Sequence, residues 1–118
     1  MATTSTRTTT IVYTVDVVGT ETLAAASNTA SPGSIEIRTH TGAIDVTMTP
    51  PTGGTSPTAC TIVPPAGNTA TITLKGVAGD TGVRLHATDP TTIALGTTTT
   101  TFVLTISATI TGMRYYWS

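Results

Sequence analysis

Lysine is nearly missing from this chain: Lys75 is the only one among 118 residues, and charged side chains make up 9% of the sequence, against about 25% in ordinary domains. The other cations, Arg7, Arg38, Arg84 and Arg114, are scattered. They form no basic stripe that could neutralise phosphates, and with aromatic residues at 4% there are no stacking platforms spaced for bases, so nucleic acid is not an expected partner. No apolar run approaches the ~20 residues of a membrane span, so no membrane partner is expected. Met1 to Thr10 lacks the hydrophobic segment of a signal peptide, and the chain reads as made in the cytoplasm. A single cysteine, Cys60, excludes an intrachain disulfide and with it the framework of a small secreted domain. It reads as a buried, inert thiol. Neither asparagine, Asn28 or Asn68, has Ser or Thr two places on, so no N-glycosylation acceptor exists.

Recognisable chemistry is equally scarce. His40 and His86 are the only groups that could act as bases near neutrality, and both fall opposite the apolar face of their expected strands, as ordinary solvent-facing residues. The six carboxylates, Asp16, Glu21, Glu36, Asp45, Asp80 and Asp89, show no metal-ligand spacing. Gly79-Asp80-Thr81-Gly82 carries one carboxylate where a calcium loop needs several, and reads as a turn. There is no Gly-x-Ser-x-Gly elbow and no phosphate-cradling loop. No catalytic residue, cofactor or metal site is expected, and the chain does not read as an enzyme.

What is present is threonine alternating with Ile, Val and Leu. From Thr101 to Ile110 the residues Phe102, Leu104, Ile106, Ala108 and Ile110 share one face, the period of a half-buried strand. Met113, Tyr115 and Trp117 follow on one side, with Arg114 and Tyr116 on the other; the set reads as a last strand closing the core. Ile11 to Val18 reads as a first strand. Gly19 to Ala26 fits a helical turn or an edge strand, and Ser27 to Gly33 a loop. Ile35, Ile37 and Thr39 alternate with Glu36, Arg38 and His40, and Thr41-Gly42 leads into Ile44, Val46 and Met48, together a hairpin with the apolar residues inward. Pro50 to Pro57 is a loop, Cys60 to Val63 a short strand, and Ala70, Ile72 and Leu74 face inward. The chain then reverses through Gly79–Gly82 into Val83, Leu85 and Ala87, and Ile93 with Leu95 marks one more short strand. About eight short strands with turn signals every 8 to 12 residues or so predict an all-β fold, an antiparallel β-sandwich or small barrel of Ig-like or jelly-roll-like kind. Its length suits one domain: residues 11–118, preceded by a flexible arm over residues 1–10 that has almost no apolar side chains to pin it.

Sheet edges are normally guarded by lysines and inward charges, and this chain has few of either. With a formal net charge of -1 it suits an assembly better than free diffusion. Contacts are expected from the arm, through Thr3, Thr4, Ser5, Thr6, Arg7 and Thr8, and from Tyr116 on the last strand.

The stretch Leu74-Lys75-Gly76-Val77-Ala78-Gly79-Asp80-Thr81-Gly82, continued by Ile110-Thr111-Gly112-Met113-Arg114-Tyr115-Tyr116-Trp117, resembles small β-rich virion proteins of tailed bacteriophages. The Thr-rich, lysine-poor composition and the polar arm are similar too. The resemblance covers about the last third of the chain and transfers no catalytic residue. It implies a capsid cement or decoration protein, trimeric as such proteins often are, that clamps neighbouring subunits of the major capsid protein in a virion assembled in the host cytoplasm. A tail or connector component is the nearest alternative. The rival class is a carbohydrate-binding sandwich, with Tyr115, Tyr116 and Trp117 as its sugar platform.

Overall fold

The computed structural model describes residues 5–15, 19–30, 34–51, 57–96 and 101–118. Among them there is no helix. Ten strands follow one another: β1 Ser5–Val15, β2 Gly19–Ala30, β3 Ser34–His40, β4 Ile44–Met48, β5 Ala59–Val63, β6 Ile72–Lys75, β7 Val83–Arg84, β8 Thr91–Ala94, β9 Phe102–Ile106 and β10 Ile110–Trp117. All pairings are antiparallel. One four-stranded sheet has the order β3-β10-β5-β8, a second the order β4-β9-β6-β7, and β1 with β2 forms a separate ribbon. The two four-stranded sheets pack face to face as a β-sandwich, so the expected fold class holds.

The core lies between those sheets and draws on both. Met48, Ile72, Phe102, Leu104 and Ile106 come from one, and Cys60, Ile62, Met113, Tyr115 and Trp117 from the other, with Ile110 at the start of β10. Full burial of a large apolar side chain stabilises by about 1.5–3 kcal/mol each, and the largest fully buried side chains among the described residues lie here. The alternation expected from Thr101 onward is present on Phe102, Leu104, Ile106 and Ile110, yet Ala108 is exposed. The run is two strands. Ser107–Thr109 turns the chain out of the β9 sheet, and Thr71 anchors that turn by donating its N–H to Ser107 Oγ at 2.8 Å. On the outer faces threonines pair across strands, Thr61 with Thr92 at 2.9 Å, while Thr105 Oγ1 donates to Asp45 Oδ1 at 2.6 Å. Such pairs support a sheet that carries few ions.

Two local expectations are corrected. β3 and β4 do not form a hairpin: β3 pairs with β10 and β4 with β9. The three residues between them carry the chain from one sheet to the other. Gly42 has φ +70, and its N–H bonds Thr109 Oγ1 at 2.9 Å, which ties the crossover to the turn before β10. Among the described residues, Ser5 to Thr10 of the expected arm opens β1, Gly19 to Ala26 takes the strand alternative and not the helical turn, and Ser27 to Ala30 of the expected loop continues β2. Their register runs from Ser5↔Ala30 to Val15↔Gly19, with an irregularity between Thr9 and Ile11. Threonine favours extended backbone wherever a partner strand takes up its hydrogen bonds, and the alanines supply a partner without bulk. Residues 1–4, 16–18, 31–33, 52–56 and 97–100, which take in the start of the arm, the end of the expected first strand, the end of the expected Ser27–Gly33 loop, most of the Pro-rich loop and most of the Thr run, lie outside the described residues.

Among the described residues β1 and β2 pack chiefly against each other. The radius of gyration is 15.7 Å, where a compact chain of this length has about 13.5 Å.

Candidate functional site

The residues expected to make contacts fall in two places. Thr3 and Thr4 lie outside the described residues. Ser5, Thr6, Arg7 and Thr8 sit in β1 opposite Ala30, Thr29, Asn28 and Ser27, and Thr8 is exposed. Tyr116 is on β10, half-buried, opposite Ile35 of β3 on one side and Thr61 of β5 on the other. The ribbon and β10 belong to different sheets, so the two groups are not part of one sheet surface.

The C-terminal aromatics divide as the alternation predicts. Tyr115 and Trp117 are completely buried, and with Tyr116 pointing the other way the three residues form no exposed platform for a sugar. Trp117 packs at a tilt on Phe102, ring centres 6.1 Å apart. Its Nε1 is buried without a hydrogen-bond partner.

β3 is inverted relative to its sequence reading. Glu36 and Arg38 are half-buried and His40 is buried, while Ile35 and Ile37 are 65% and 67% exposed. The cause is the register with β10, which sets Glu36 opposite Tyr115 and Arg38 opposite Met113. Residues directly opposite in an antiparallel pair point to the same side. Once Met113, Tyr115 and Trp117 take the core, β3 must send its charged residues inward and its isoleucines out. The alternation of β10 carried that information, but only the pairing reveals it.

The inward face of β3 therefore builds a polar corner inside an apolar sandwich. Arg38 Nη2 stands 2.8 Å from Glu36 Oε2, but off the N–H direction, so this buried oxygen has an ionic neighbour and no hydrogen-bond donor. The Arg38 guanidinium lies 5.8 Å from the centre of the Tyr115 ring. His40 Nε2 and Tyr115 Oη are 2.7 Å apart, their rings edge to face at 6.0 Å. Burial, then the charge of Arg38, holds the His40 imidazole below its ordinary pKa of 6.5, and burial keeps the Tyr115 hydroxyl protonated well above the usual phenol range.

The linkage follows with a definite sign. The unfolded chain takes up a proton on His40 near 6.5 while the folded chain resists to lower pH, so in that window protons favour unfolding. Stability is complete above 6.5 and declines as the pH falls below it, until the folded imidazole also titrates. Urea midpoints measured on either side of that window should show the decline, and His40→Gln should remove its part of it. A wild-type midpoint that stays flat across the window would mean the imidazole is solvated.

Elsewhere the chemistry is quiet. Cys60 is buried, and its thiol is pushed up to about 12 by burial, helped by Glu36, which makes it a poor nucleophile. His86 is exposed, as expected, and its Nδ1 accepts the Asp89 N–H at 2.9 Å, the work of a turn. Among the described residues no three His, Cys, Asp or Glu side chains stand close enough to share a metal ion. An apolar cleft of about 440 Å³ opens between the free edges β7 and β8, floored by Leu74, Ile93, Leu95 and Phe102. Val83 lines it and is 64% exposed. No family model, no curated protein and no solved structure matches this chain.

Proposed function

We propose that this chain is a non-enzymatic structural protein of a tailed-phage virion, a cement or decoration protein that binds and stabilises neighbouring capsid subunits. The observation that carries the reading is the β1–β2 ribbon, whose strands of 11 and 12 residues pack chiefly on each other. A two-stranded ribbon alone is marginally stable in water, so it gains most by laying its length on another protein, adding to a sheet edge or clamping across a seam. Arg7, Glu21 and the polar run Thr8-Thr9-Thr10 bring few ions to be desolvated there. The low charge of the rest of the chain and its unguarded sheet edges support the same reading.

Deletion of residues 1–30 tests it directly. The two-sheet body should keep its cooperative melt, because the core described here lies between the two four-stranded sheets, while attachment to purified capsids should be lost. Truncated protein that binds capsids as well as the intact chain would overturn the reading. Quantitative mass spectrometry of particles then separates two locations: hundreds of copies per particle fit a cement protein, and a handful places the chain in the tail or connector.

A further inference from the structure

We infer that β3 is a self-pairing edge: two copies of this chain join β3 to β3 antiparallel about a twofold axis at Ile37, fusing their four-stranded sheets into one of eight strands. β3 is the terminal strand of its sheet, so among the described residues one side of its backbone ladder has no partner strand. The edge carries no lysine and no proline, two of the usual guards against such pairing, and its inward charges, Glu36 and Arg38, are of opposite sign, so a second copy can match them. Its outward face presents Ile35 and Ile37, at 65% and 67% the most exposed large hydrophobic residues among those described.

The register is dictated by the strand itself. A twofold axis normal to the sheet keeps inner faces with inner faces, so it must pass through a residue and not between two. Centred on Glu36 it would set two carboxylates against each other, and centred on Arg38 two guanidiniums. Centred on Ile37, the middle of Ser34–His40, it uses every residue of the strand and sets Glu36 opposite the partner's Arg38, twice by symmetry. On the outer face the two Ile37 side chains meet at the axis, each Ile35 lies opposite a Thr39, and Tyr116 flanks them from β10. Opposite charges facing each other across strands stabilise the pairing, as like charges oppose it.

A second observation points the same way. Glu36 Oε2 is buried with no hydrogen-bond donor in the single chain, although its side chain and that of Arg38 keep 31% and 38% of their exposure. The partner's Arg38 is set opposite the part of the Glu36 side chain that stays exposed, where a second guanidinium can strengthen an ion pair that is incompletely hydrogen-bonded within one chain. The interface is isologous and closes at two copies. It therefore differs from the threefold state that the phage resemblance implies, and it stands whether or not the chain is a virion protein.

Sedimentation of the intact chain at about 100 µM, a concentration suited to an interface at the small end of the range, should give twice the 12.0 kDa chain mass. Ile37→Lys, at an exposed position that leaves the core intact, should weaken association at least about tenfold by placing two like charges on the axis. The decisive test is a mixture. E36R alone and R38E alone each set like charges against like and should sediment as monomers, whereas the two mixed should form a one-to-one pair, with circular dichroism confirming that each is folded. A wild-type monomer at that concentration overturns the inference. So does a trimer unaffected by Ile37→Lys, and so does a mixture of folded E36R and R38E that stays monomeric. If either charge variant does not fold, the Ile37→Lys comparison decides alone.

Discussion

Replacing Trp117 with alanine is expected to lower the free energy of unfolding by about 3–5 kcal/mol, the range for removing a large aromatic side chain from a packed core. The ring is fully buried, it leans on Phe102, and its strand is held on both sides, with Trp117 opposite Ser34 on β3 and Cys60 on β5. Little can collapse into the space it leaves. Domains of this size have roughly 5–15 kcal/mol to lose, so the variant should melt well below the parent. Trp117→Phe should behave differently. A buried donor without an acceptor costs about 1–3 kcal/mol, and the indole N–H is such a donor. Phenylalanine removes it while keeping most of the ring, so the lost packing and the relieved desolvation should nearly cancel. Denaturant midpoints read by circular dichroism suit the comparison, since Trp117 is the only tryptophan. Equal losses in the two variants would show that the N–H has found a partner in solution.

Gly82→Ala should be the most damaging of the small surface changes, and Gly42→Ala measures why. Both glycines have positive φ, +75 and +70, where a Cβ costs about 1–2 kcal/mol. At Gly42 nothing lies within 4 Å of the added carbon, so that cost should be the whole effect. At Gly82 the carbon would come within 2.5 Å of the Leu74 carbonyl oxygen and 2.6 Å of Lys75 Cγ. The lysine chain can move, but the carbonyl belongs to β6, which pairs with both β9 and β7. The corner must open, and a loss of about 2–4 kcal/mol is expected from strain and overpacking together. Because β7 is only Val83–Arg84, the chain can escape part of this by releasing that edge. Hydrogen exchange at Leu85, whose N–H bonds Ile72 O at 2.8 Å, should then accelerate in Gly82→Ala and not in Gly42→Ala. Equal melting temperatures for the two variants would refute the clash.

The sandwich was legible where one strand's own pattern decided its faces. Phe102, Leu104, Ile106, Met113, Tyr115 and Trp117 read as core from alternation, and they are core. β3 failed for a reason that period-2 reasoning contains: alternation says which residues share a side, while the partner says which side is inside. The short link at Gly42 misled similarly, because a turn that returns the chain to the same sheet and one that carries it to the facing sheet use the same Thr-Gly signal. The polar corner of Glu36, Arg38, His40 and Tyr115 was invisible beforehand, since it needs residues 75 positions apart. Of the ribbon, the strand from Ile11 was read as such, but the threonines that open β1 and the end of β2 were not, because polar residues without an apolar period resemble a loose arm or loop until their partner strand is known.

The position of β10 also sets an order in time. It lies between β3 and β5 and holds both, yet it is made after every other strand described here. Translation runs at roughly 5–20 residues per second, so Ser34 waits several seconds for its opposite residue, Trp117. Closing contacts that distant is slow in itself. Through that interval β3 lacks β10, the strand that pairs with it among the described residues, so its backbone ladder is open on both sides, and the yield of folded chain depends on what keeps nascent copies apart until β10 arrives.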